Sequence, residues 1–163
     1  MPEHIWTVLC SRSVIDKDTN QVSLFDVVES VTAKLLQPLP PAPKVGLLAF
    51  RSELVTLWKR SSDDEKVVTF KSEIITPDGR EVATSTMEAE FTQPRLRINF
   101  KAEALPIVGS GTYLFKVYAQ VGDDCVTGSI PLEVNLILAD EAEDKTEAPA
   151  RPAKRRANVK RRR

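Results

Sequence analysis

Apolar and polar residues alternate one by one along much of this chain. In "RLRINFK" (95–101), Leu96, Ile98 and Phe100 share one face, and Arg95, Arg97, Asn99 and Lys101 share the other. "TYLFKVYAQV" (112–121) separates Tyr113, Phe115, Val117, Ala119 and Val121 in the same way. "SIPLEVNLIL" (129–138) sets Ile130, Leu132, Val134, Leu136 and Leu138 against Glu133 and Asn135. A period of two is what a half-buried antiparallel strand requires. Further strands are expected at 5–12, 21–28, 45–58 and 66–76. The turn-forming stretches "DKDTNQ", "PLPPAP", "SSDDE", "PDGR", "GSG" and "GDD" separate them. No segment keeps a helical period over ten or more residues. The pattern predicts an all-β fold, an antiparallel two-sheet β-sandwich of about eight strands over residues 1–138.

One hairpin can be checked internally. Pairing Phe91 with Leu96 also opposes Ala89 to Ile98 and Met87 to Phe100, all on the apolar face, and sets Glu90 against Arg97 on the polar face. Charge and hydrophobic patterns therefore agree on a hairpin from Met87 to Phe100. Upstream the phase shifts, with Val82 and Thr84 even-numbered and Met87, Ala89 and Phe91 odd, which predicts a bulge near Ser85–Thr86.

Charge divides the chain. The formal net charge is zero, but residues 1–138 carry 14 Lys plus Arg and 18 Asp plus Glu, whereas 139–163 carry nine and five. The last segment is acidic over 140–147 and purely cationic over 149–163. Blocks of like charge without aromatic residues bury too little apolar area to offset the entropy of ordering, so 139–163 is expected to be a disordered tail. The N-terminus lacks the basic start and apolar run of a secretion signal, and no stretch approaches the roughly 20 apolar residues of a membrane-spanning helix. Cys10 and Cys125 are expected to be buried thiols in a reducing compartment, and the protein to be cytoplasmic.

"DKDTNQVSLFDVVESV", "TPDGR" and "GSGTYLFKV" followed by "IPLEVNL" resemble a family of small, uncharacterised bacterial β-sandwich proteins over about residues 5–138. The resemblance implies the sandwich and no activity.

Catalytic marks are few. His4 is the one histidine, placed beside a terminus where fraying is expected, so Ser-His or Cys-His nucleophilic chemistry has no oriented imidazole. No Cys/His spacing suits zinc, and "GSGTY" lacks the lysine and length of a phosphate loop. The chain is expected to be no enzyme, with no organic cofactor. Asp16, Asp18 and Asn20 occupy the first, third and fifth positions of a calcium loop, but Gln21 and Val27 stand where Gly and Glu are needed. A different calcium arrangement follows if every connection reverses direction. Asp16 and Asp18 would then share one end of the sandwich with Asp63, Asp64, Asp123 and Asp124, a set of oxygen ligands. An extra strand around "VTAKLL" would break that parity.

Arg95, Arg97 and Lys101 form a cationic row that Glu88 and Glu90 would neutralise across the hairpin. In the tail, Arg151, Lys154, Arg155, Arg156, Lys160, Arg161, Arg162 and Arg163 could contact a polyanion such as nucleic acid, salt-dependently and without reading bases. The first expectation for function is a non-catalytic interaction module that binds a protein partner through a sheet edge or face. The alternatives are a nucleic-acid-associated protein relying on the tail and a calcium-responsive sandwich using the acidic loops.

Overall fold

The computed structural model describes residues 1–16, 21–61 and 67–139. Among these residues nine strands follow one another: β1 (Glu3–Ile15), β2 (Val22–Val27), β3 (Ser30–Leu35), β4 (Gly46–Lys59), β5 (Val67–Ile75), β6 (Glu81–Glu90), β7 (Arg95–Ile107), β8 (Gly111–Val121) and β9 (Asp124–Leu138). They build two sheets, ordered β2-β1-β4-β7 and β3-β9-β8-β5-β6. Every paired neighbour is antiparallel except β3 with β9, which run parallel. The all-β sandwich expected from the alternation is the fold the chain adopts.

Alternation puts one row of each strand between the sheets. Leu9, Leu54 and Trp58 from the first sheet meet Phe70, Tyr113, Phe115, Val117, Leu132 and Val134 from the second, all of them buried. The rings of Trp58, Phe70 and Phe91 form a chain of tilted contacts across the middle, with centroids 5.6 and 6.4 Å apart. Such offset aromatic pairs stabilise a core beyond the area they bury.

The ninth strand is β3. Val31, Ala33 and Leu35 pair with Val134, Leu136 and Leu138 of β9, and Val31 and Leu35 pack against the core. No glycine, proline or asparagine separates Val27 from Ser30, so the sequence offers no turn signal there. The chain nonetheless changes sheets within two residues, where the Val28 N–H donates to the Leu9 carbonyl and the Glu133 N–H to the Glu29 carbonyl.

A second change of sheet corrects the expected hairpin. β6 pairs with β5, opposing Ala89 to Val68 and Met87 to Phe70. β7 pairs with β4, opposing Phe100 to Leu54 and Arg97 to Leu57. Phe91 explains the difference, because its ring enters the core, 2% exposed, and pulls the connection at 91–94 across from one sheet to the other. The predicted pairing satisfied the alternation equally well, since inward rows of different sheets share one phase. The β6 irregularity also lies earlier than expected. Ile74 pairs with Ala83 and Ile75 with Glu81, so Val82 is the extra residue, and pairing from Ala83 to Glu90 is regular.

Candidate functional site

β6 and β7 are the free edges of their sheets on the same side of the sandwich. The inward row of β6 reads Ala83, Ser85, Met87 and Ala89, opposite Ile74, Ser72, Phe70 and Val68 of β5. Small side chains therefore stand at its first two positions. Ser52 of β4 and Ala102 and Ala104 of β7 bring more small residues to the facing wall, beside an irregularity between Ala49 and Ser52. With so little bulk between the edges, a cleft of about 210 Å³ remains. Leu9, Leu54, Phe100 and Phe115 contribute its apolar lining, and Ser52, Ser72, Glu73, Thr84, Ser85 and Lys101 are its polar lining residues, with the Glu73 and Lys101 side chains engaged on the outer faces of their sheets. The volume lies below the roughly 300–1,000 Å³ of most small-molecule sites. It suits a single large side chain better than a cofactor.

The wall formed by β7 is tied down from behind. Glu53 lies on the outer face of the first sheet and is 6% exposed. Its Oε2 accepts hydrogen bonds from the Ser13 N–H (2.8 Å), the Ser13 hydroxyl (2.5 Å) and the Asn99 amide (2.8 Å). The Lys101 ammonium stands 3.5 Å from Oε1. Burial opposes ionisation, but the Ser13 hydroxyl, the Asn99 amide, the Ser13 N–H and the Lys101 charge outweigh it and hold the carboxyl at about 2, against an ordinary 4.5. One carboxylate thus joins β1, β4 and β7 and holds Lys101 on the outer face of the first sheet, behind the wall of the cleft.

The outward row of the second sheet is polar. Lys71 and the Tyr118 hydroxyl both donate to the Glu73 carboxylate, the latter at 2.6 Å. Burial and then the neighbouring Glu73 push the Tyr118 phenol up to about 12, so it stays a protonated donor. Further along β6 the outward residues are Glu88 and Glu90, opposite Thr69 and Val67 of β5.

Residues singled out in the sequence fall elsewhere. Asp16 follows Ile15, which pairs with Val22 at one end of the sandwich, whereas Asp124 pairs with Val121 at the other. β3 supplies the extra reversal that separates them, so Asp16 does not meet Asp123 and Asp124. Asp18, Asp63 and Asp64 lie outside the described residues, as do Arg151, Lys154, Arg155, Arg156, Lys160, Arg161, Arg162 and Arg163. Among the described residues no group of three or more His, Cys, Asp or Glu side chains could hold a metal ion. Nor is any helix there long and apolar enough to cross a membrane.

Arg95, Arg97 and Lys101 do share an outward row, but it faces Lys59, Leu57 and Glu53 of β4 rather than Glu88 and Glu90. Cys10 is buried and Cys125 exposed, and both are free thiols. Burial and the charge of Glu53 push the Cys10 thiol up, which keeps it unreactive.

His4 is not a fraying surface residue. It pairs with Trp58 inside β1, its ring meets the Trp58 indole edge-on at 4.9 Å, and its Nε2 lies 2.7 Å from the Thr7 hydroxyl.

The cleft itself escaped the sequence reading. Its one signal was the run of small residues at Ala83, Ser85, Ala102 and Ala104, which has meaning only once β6 and β7 stand in separate sheets.

No family model matches the chain, and no curated protein does. The family resemblance read in the motifs is therefore supported only as far as the sandwich itself. Among solved structures, the C-terminal domain of wzt is 16% identical, with a TM-score of 0.48, over 82% of this chain and 73% of that one. A β-glucuronidase from Parabacteroides merdae is 12% identical, with a TM-score of 0.37, over 56% of this chain and 13% of its own. Neither likeness carries an activity, ligand or partner over to this chain.

Proposed function

We propose that this protein is a non-catalytic interaction module that takes an extended segment of a partner protein along the free edge of β6. The cleft behind that edge carries the reading. A strand added beside β6 continues the second sheet, and its backbone pairs with the unpaired β6 edge. Its inward side chains then point toward β7, and the one opposite Ser85 meets the cleft. Main-chain pairing supplies affinity without regard to sequence, and a pocket for one alternate side chain supplies selectivity. Burying a large apolar side chain there contributes about 1.5–3 kcal/mol.

Filling the cleft tests the reading. Random twelve-residue peptides are displayed against the full chain, and the selected sequences are measured against wild type and Ser85→Phe. The expected outcome is a set sharing one large apolar residue, with affinity lowered at least about tenfold by the substitution, as the loss of one buried side chain implies. Selection of no peptide, or of peptides indifferent to Ser85→Phe, would overturn it.

A further inference from the structure

The outward row of β6 indicates what kind of segment fits. Glu88 and Glu90 are exposed at the free edge, two positions apart. Their neighbours on β5 are Thr69 and Val67, neither of them charged. Among the described residues no cation pairs with either glutamate. Another outward carboxylate of this sheet, Glu73, is already engaged by Lys71 and Tyr118, and Glu81, at the far end of β6, lies near the same Lys71. β6 therefore offers an incoming strand two negative charges on one face and, from Ser85, an apolar recess on the other. Ser85 and Glu88 are three residues apart, and an odd separation places them on opposite faces of a strand.

We infer that the β6 edge recognises an extended peptide with a large apolar residue and, three and five positions before it, lysine or arginine. The inference rests on the strand-addition reading proposed above. The order follows from antiparallel pairing. With the apolar residue opposite Ser85, peptide numbering falls as β6 numbering rises, so the residues three and five positions earlier stand opposite Glu88 and Glu90. Opposite charges directly across a strand pair attract, and like charges repel. The same rule disfavours a second copy of this chain as the occupant, because antiparallel β6–β6 pairing would join two outward rows that both carry Glu88 and Glu90.

Three synthetic peptides with threonine at the remaining positions decide the matter. Each carries the same phenylalanine, preceded at three and five positions by lysine, serine or glutamate. Binding to the full chain is followed by fluorescence anisotropy at low and at physiological salt. The lysine peptide is expected to bind about tenfold more tightly than the glutamate peptide at low salt, with serine between them. The gap should narrow as salt screens the exposed charges. Glu88→Lys with Glu90→Lys should reverse the order, its far-ultraviolet circular dichroism matching wild type.

Equal binding of the three peptides, each weakened by Ser85→Phe, would overturn the charge preference and leave strand addition standing. A lysine peptide that binds Ser85→Phe as well as wild type would show charge attraction without an anchor and sink the inference. Binding by none of the three would bring down both readings.

Discussion

Replacing Glu53 with glutamine is expected to cost about 3 kcal/mol of stability at neutral pH, a cost that shrinks as the solution is made acid. The magnitude follows from the carboxyl standing at about 2 rather than 4.5, because each pKa unit corresponds to about 1.36 kcal/mol. The folded state binds the charged form more strongly than the unfolded chain does. The contribution is therefore fully present above pH 4.5 and is lost as pH falls toward 2. Urea unfolding of wild type and Glu53→Gln at pH 7, 4 and 3 measures it. The difference between them should shrink steadily over that range. Parallel curves would mean that the network around Ser13 and Asn99 does not depend on the charge. Glu73 and Asp78 are also held below the usual carboxylate range, so only the difference between the two proteins isolates Glu53.

Gly128→Ala is expected to destabilise the protein by about 1–3 kcal/mol, the range for overpacking a filled interior. A Cβ at Gly128 would lie 2.4 Å from both Cε1 and Nε2 of the His4 ring. That ring has little room to yield, held between the Trp58 indole and the Thr7 hydroxyl. Glycine here serves close approach between β9 and β1. His4→Ala should relieve the clash, so the double variant should lose less than the two single losses combined, and a double-mutant cycle by thermal denaturation reads that coupling. Strictly additive losses would show that the glycine acts through its own backbone. Acid should mimic part of the effect. Burial holds the imidazole below its ordinary 6.5, against a smaller opposing contribution from a backbone hydrogen bond at Trp6. The unfolded chain accordingly takes up the proton first, and the stability due to neutral His4 is complete above pH 6.5 and declines as pH falls below it.

Local periodicity carried most of the architecture. The rows in 95–101, 112–121 and 129–138 were legible because each strand exposes one face and buries the other. Pairing was not legible to the same degree, because alternation says which way a side chain points and not which sheet its strand joins. Phe91 is the clearest case. Its apolar character suited both the hairpin register, opposite Leu96, and its actual place as a core residue between the sheets. β3 was legible only as a possible extra strand around "VTAKLL", since "VESVTAKL" has the alternation of a strand but no glycine, proline or asparagine at its start to mark a turn. The cleft depends on both features. It exists because two edge strands from different sheets carry alanine and serine at facing positions, a relation that no short window contains. Glu53 was equally silent: within "RSELVTLW" it looks like an outward charge, and its partners Ser13 and Asn99 lie far away in the chain.

The parallel pairing of Ser30–Leu35 with Glu133–Leu138 has a kinetic consequence. A ribosome releases β3 long before β9, so the early strand must wait, unpaired, for the last strand to be synthesised. Ladders that join distant parts of a chain close slowly, and their exposed edges invite misassembly meanwhile. β1, β2 and β4 have local partners and can associate first. The second sheet gains its β9–β3 edge only when synthesis has passed Leu138, which makes that parallel ladder among the last of the described pairings to close.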